Sequence, residues 1–343
     1  MHKAKYWEKR KDGKANEVIC RLCPHTCLIK EGKTGLCNAR VNIGGVLYSL
    51  VYGQPVALNA DPIEKKPLYH FLPGTTSLSI GTVGCNLFCK NCQNWDISRA
   101  KPADIKTHKD IKTQRFAPED VVRIALENRC TSISYTYNEP TVFHEFAVDC
   151  ARLARKKGLK NIIVTNGFIS KEAALGFAEV MDAANVDLKS FSDSFYKDIC
   201  RGSLDPILKT LKIYHKRLWL EITNLIIDRK NDSMEEIEKM CRWVKEELST
   251  DVPLHFSRSF PMFKMTEITP TPKDTLVAAK KAAEKYLDYV YIGNADIKNS
   301  SNTYCPGCKR MLISREGYSA KINHKDLKEN RCSCGRDIPG IFA

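Results

Sequence analysis

The chain has 343 residues, 43% of them hydrophobic and 27% charged, with a formal charge of +14 from 54 basic and 40 acidic side chains. It is long enough to bury a full core and exceeds the usual size of one compact domain, and no apolar run approaches the roughly eighteen residues of a membrane span. That composition is of a soluble globular protein, and the polar opening MHKAKYWEKRKDGKANE lacks a secretory apolar stretch, so a cytoplasmic location with no membrane partner is expected.

Fifteen cysteines stand out. In a reducing compartment, clustered thiols indicate metal or redox work rather than disulfides. The first cluster is Cys20, Cys23, Cys27 and Cys37, spaced C-x2-C-x3-C-x9-C, with His25 inside it as a competing ligand. Zinc and an auxiliary iron–sulfur cluster both remain open there. The run DPIEKKPLYHF follows, carrying Asp61, Glu64, Lys65, Lys66 and His70, and no chemical role attaches to it from sequence.

From residue 77 a regular rhythm begins. Strands are expected at 77–82, 132–137, 161–166, 185–190, 218–223 and 253–258, with a last one at 289–294. Helices are expected between them at 117–129, 141–157, 170–183 and 233–248, the last opening with Ser233 and Glu236 at capping-box spacing. Six strand-then-helix units imply a parallel sheet, either a barrel or an open doubly wound one. Both place their active site at the carboxyl ends of the strands.

The triplet Cys85, Cys89 and Cys92, spaced C-x3-C-x2-C, follows the first of these strands directly. The nearest histidines in sequence, His70 and His108, offer no obvious fourth ligand. Iron–sulfur clusters ordinarily take four thiolates, so three leave one iron free for a substrate or cofactor. At the far end, Cys305, Cys308, Cys332 and Cys334 form two knuckles able to enclose one tetrahedral ion, zinc or a single iron, with zinc preferred. Cys130, Cys150, Cys200 and Cys241 stand apart and read as buried small hydrophobes.

The triplet, together with CRLCPHTCLIKEGKTGLCNARVN, YTYNEPT, VTNGF and DLKSF, resembles the radical S-adenosylmethionine enzymes. Within them the chain looks like the AmmeMemoRadiSam system radical enzymes, relatives of the pyruvate formate-lyase activating enzymes. The resemblance runs over roughly residues 18–340. It implies an α/β fold, a partial (β/α)6 barrel over 77–295, flanked by Cys-rich segments at 1–76 and 296–343. It also implies a 4Fe-4S cluster on Cys85, Cys89 and Cys92, S-adenosylmethionine on its open iron, and a 5′-deoxyadenosyl radical that abstracts hydrogen.

Further roles come by the same resemblance. Asn138 and Glu139 stand where the family has Gly-Gly-Glu, which holds the cofactor's ammonium, and Tyr137 replaces the first glycine. Asp187 and Lys189 match a pair near the cofactor's carboxylate and ribose. Thr165 and Asn166 end the third strand of the sheet, and Asn91 occupies a position commonly aromatic beside the adenine, for which Trp95 is a substitute. Phe260 stands where relatives carry a histidine, leaving His255 and Arg258 as nearby candidates. Implied partners are a reductant of ferredoxin or flavodoxin type, and either a glycyl radical protein or Memo and AMMECR-type proteins. The rival readings are a radical RNA-modifying enzyme, drawn from the basic charge, and a non-enzymatic iron–sulfur electron carrier or scaffold.

Overall fold

A computed structural model describes residues 1–11, 16–102 and 115–342, so His108 lies outside the described residues. Six short strands come first: β1 (His2–Lys3), β2 (Trp7–Lys9), β3 (Val18–Cys20), β4 (Leu28–Ile29), β5 (Arg40–Ile43) and β6 (Val46–Ser49). They pair antiparallel as two three-stranded sheets, β1-β6-β5 and β2-β3-β4.

The main sheet has eight strands. β7 (Ala57–Pro62) runs antiparallel along β8 (Thr76–Gly81). Then β9 (Ser132–Tyr135), β10 (Lys160–Thr165), β11 (Ala183–Asp187), β12 (Trp219–Ile226), β13 (Leu254–Arg258) and β14 (Val290–Gly293) follow in order, every pair from β8 onward parallel. The spatial order equals the chain order, with no reversal. A doubly wound sheet reverses at its switch point, so this one wraps in a single direction, as a barrel does. β7 and β14 stand at its two ends and do not pair with each other, which leaves the barrel incomplete. The parallel strands are buried on both faces along most of their length, with small or hydrogen-bonded polar residues such as Ser79, Ser134 and Asn185 buried among the apolar ones.

The helices are α1 (Trp95–Arg99), α2 (Pro118–Glu127), α3 (His144–Lys156), α4 (Lys171–Ala178), α5 (Asp205–His215), α6 (Met234–Glu247) and α7 (Lys273–Ala283). α3 buries Phe146, Ala147, Cys150, Ala151 and Ala154, an i, i+4 stripe that lays it on the sheet. Ser170 caps α4 through Ala173 N, whereas the expected box at Ser233 does not form. Glu236 instead accepts from Ser190 Oγ and from Phe191 N, the latter at 2.8 Å, because tertiary donors after β11 outcompete the local one. Among the described residues no helix is long and apolar enough to cross a membrane.

The run at 61–71 has a structural place. Glu221, buried near the start of β12, accepts from Tyr69 N, His70 N, Trp219 Nε1 and His255 Nε2 at 2.6–3.0 Å. His70 donates from Nδ1 to Pro339 O at 2.7 Å and accepts from Tyr291 Oη at 2.6 Å. Arg315, on the strand β15 (Met311–Glu316), donates to Tyr69 O at 2.6 Å and stacks over the Tyr69 ring. The strap thus floors the amino end of the barrel and is clamped there by the C-terminal segment.

Candidate metal and cofactor site

The site begins where β8 gives way to the loop at 82–94, which carries Cys85, Cys89 and Cys92 at the carboxyl end of the sheet. Phe88 N and Lys90 N donate to Cys200 O and Ile199 O at 2.7 and 3.0 Å, and Lys264 N donates to Lys90 O at 2.9 Å. Asn138 fastens the start of the loop, accepting from Thr82 N at 3.1 Å and donating to Gly84 O at 2.7 Å. Gly84 sits at φ 90°, and a Cβ there would lie 2.5 Å from Cys37 O. Only glycine lets the loop and the N-terminal segment approach this closely.

The surroundings act unequally on the three thiols. Burial pushes the Cys85 and Cys92 thiols up. Cys89 moves down, first because the Cys200 thiol donates to it and then because the Lys189 ammonium is near; Cys200 is pushed up by the same contact. Arg99 lies close enough to lower Cys85 and Cys89, and its guanidinium covers the Phe88 ring at 4.4 Å. A thiolate ringed by cations is the form that ligates metal.

Lys189 Nζ donates to Asp187 Oδ2 at 2.8 Å, just past β11. Burial works against the charge on Lys189, but Asp187 and the Cys89 and Cys200 thiols outweigh it and hold the ammonium above the usual lysine range. The two side chains remain 21% and 36% accessible, so a ligand can reach them. Glu139 is fully buried. Its Oε1 accepts from Thr141 N, Thr141 Oγ1 and Thr165 Oγ1 at 2.6–3.0 Å, and its Oε2 from Asn166 N at 2.8 Å. A carboxylate accepts about four donors, two to an oxygen, so Oε2 alone keeps capacity. Asn166 Nδ2 lies 3.0 Å from Asn86 Oδ1 and 3.8 Å from Cys85 Sγ, tying the end of β10 to the triplet. Asn91 Oδ1 is buried with no partner.

Tyr137 takes φ 70°, in the left-handed region that glycine enters most readily, and its hydroxyl donates to Asp61 Oδ2 at 2.7 Å. Trp95 is 44% exposed and stacks on Phe263 with ring centroids 5.3 Å apart. Arg258 ends β13 at the site's side, its guanidinium over Phe260. His255 does not join it: the second residue of β13, it points to Glu221 in the floor. Sequence reading takes Cys200 for a buried hydrophobe and passes over Arg99. Both are brought in by folding, and no spacing in the chain ties either to the triplet.

The three cysteine sets differ in geometry. In the C-terminal set Cys305 Sγ lies 3.7 Å from Cys334 Sγ and Cys308 Sγ 3.6 Å from Cys332 Sγ, all four within 4.8 Å of one another. Four sulfurs about 2.3 Å from one tetrahedral zinc stand about 3.8 Å apart, so this set can hold a single ion. Among the described residues it is the only group that meets this spacing. Cys85, Cys89 and Cys92 do not meet this single-ion spacing.

Residues 79–244 match the family model described as the Radical SAM superfamily. The uncharacterized protein MJ0808 of Methanocaldococcus jannaschii is 43% identical over 341 residues, 98% of this chain and 99% of its own. The pyruvate formate-lyase-activating enzyme of Clostridium pasteurianum is 23% identical over 222 residues, 60% of this chain and 87% of that one. Among solved structures, TYW1 with a lysine-pyruvate adduct bound aligns with a TM-score of 0.47 at 17% identity, over 67% of this chain and 80% of that one. The chain belongs to the radical SAM superfamily. Members of that family are enzymes, and membership implies S-adenosylmethionine and a 4Fe-4S cluster.

Proposed function

We propose that Cys85, Cys89 and Cys92 hold the 4Fe-4S cluster, with one iron left for S-adenosylmethionine, in an enzyme that abstracts hydrogen from its substrate. The observation that supports this is the placing of the three thiols in one loop at the carboxyl end of the sheet, with Lys189, Arg99 and the orphaned Asn91 oxygen around them. Cluster and cofactor, when bound, would supply one-electron reductive cleavage of the sulfonium and hydrogen-atom abstraction, with a reductant of ferredoxin or flavodoxin type as the electron source.

The chain's own residues bind and orient. Lys189, held charged by Asp187, is the cation for the cofactor's carboxylate. Glu139 Oε2 is the acceptor left for its ammonium, and Asn91 Oδ1 one for the adenine side. Cys200 keeps Cys89 in its ligating form. Kinship with an activating enzyme supports a glycine of a partner protein as the hydrogen source. The spacing of the C-terminal four thiols supports a site for a single tetrahedral ion, read here as zinc in preference to iron.

The test is production of 5′-deoxyadenosine by the anaerobically reconstituted chain with S-adenosylmethionine and dithionite. Wild type should exceed a Cys85→Ala, Cys89→Ala, Cys92→Ala variant by at least about a hundredfold, as expected when the group that carries the chemistry is removed. Equal yields overturn the reading.

A further inference from the structure

We infer that Cys20, Cys23, Cys27 and Cys37 hold a second iron–sulfur cluster, of four-iron size, in a cavity sharing a wall with the triplet loop. Cys20 ends β3, Cys23 and Cys27 lie in the turn before β4, and Cys37 precedes β5. The turn is closed by Cys20 N donating to Cys27 O at 2.9 Å and Thr26 N to Cys23 O at 3.1 Å. All four cysteines line one pocket, yet no three of their sulfurs come within 4.8 Å of one another.

The C-terminal set supplies the internal comparison: the same chain closes four thiols to single-ion spacing in one place and holds four apart around a cavity in another. Thiols that stand outside single-ion spacing suit a cluster, which presents an iron to each, better than one zinc. His25 does not compete through Nε2, which lies 2.7 Å from Asn86 O.

Arg40 points to the same conclusion independently. It is completely buried and lines the pocket. Its Nη1 donates to Lys5 O at 2.8 Å and its Nη2 to Glu145 at 2.6 and 2.8 Å, but Nε has no acceptor. Buried N–H groups without acceptors are rare, and the sulfurs of a cluster are acceptors of the right sign beside a cation. Asn86, the residue after Cys85, lines the pocket too, and Cys37 O packs against Gly84, so the two sulfur sets are neighbours.

The test uses the full chain, reconstituted without oxygen from ferrous iron and sulfide, with iron, acid-labile sulfide and the electron paramagnetic resonance of the dithionite-reduced protein as readouts. The Cys85→Ala, Cys89→Ala, Cys92→Ala variant should keep about half the wild-type labile sulfide and the signal of a reduced four-iron cluster. Adding Cys23→Ala and Cys37→Ala should bring labile sulfide to background while the circular dichroism and the C-terminal metal are retained. A triple variant without labile sulfide, whether it carries extra zinc or nothing at the N-terminal set, overturns the inference; because that variant leaves the N-terminal set intact, its result decides even if the five-fold variant misfolds. The outcome also separates the two assignments. Equal sulfide in wild type and triple variant defeats the triplet reading and leaves this one standing.

Discussion

Lys189 is the side chain on which the cofactor reading depends most, because it is held charged by Asp187 and faces Cys89. Lys189→Met should therefore lower 5′-deoxyadenosine formation by roughly ten- to a hundredfold, as loss of a charge-assisted contact of about 1.5–3 kcal/mol implies, while the iron content stays at the wild-type level. Unchanged turnover, or loss of iron with it, would show that Lys189 does something else. At this scale the sequence was legible wherever chemistry imposes spacing. The triplet and Asp187 with Lys189 stand in local patterns that a strand and its loop preserve. Arg99 and Cys200 reach the site only through the packing of α1 and of the turn that ends at Cys200, so no local pattern carries them.

Elements were readable where burial dictated their text. The expected strand at 161–166 is Lys160–Thr165, marked by Ile162, Ile163 and Val164, and that at 253–258 is Leu254–Arg258, marked by the alternation of Leu254 and Phe256 with polar residues. β7 was not legible. Its text, ALNADP, holds Asn, Asp and Pro, residues poor in strands, and an edge position beside β8 tolerates them. α3 carries a pH dependence. Burial lowers His144 to about 4, and His70 in the floor likewise to about 4. Unfolded, both titrate near 6.5, so between those values the unfolded chain binds two protons that the folded one refuses. Stability should fall on acidification from about pH 6.5 toward 4, by up to about 1.4 kcal/mol per pH unit for each histidine. Urea midpoints at pH 7 and pH 5 measure it, and His144→Phe should roughly halve the slope. A flat profile in wild type would show that the histidines are charged in the fold.

For the whole molecule, the floor joins distant parts of the chain. Arg315 bonds Tyr69 O, Thr303 Oγ1 and Ser301 O and lies 3.7 Å from Glu64, both side chains buried. Arg315→Met leaves Glu64 an unpaired buried charge and should cost about 3–5 kcal/mol in urea unfolding. Adding Glu64→Gln should recover part of that loss; additive losses would mean that the pair is not coupled.

The bonds from His70 to Pro339 O and between Leu72 N and Ile341 O carry a consequence for biosynthesis. A nascent chain that has already emerged through β14 owns every strand of the barrel but none of the clasp beneath it. Glu221 finds all its partners by residue 255, so the strap can dock early, but its outer bonds to Arg315, Pro339 and Ile341 form only after those residues have left the ribosome. Until then the underside of the strap is left exposed to chaperones and proteases.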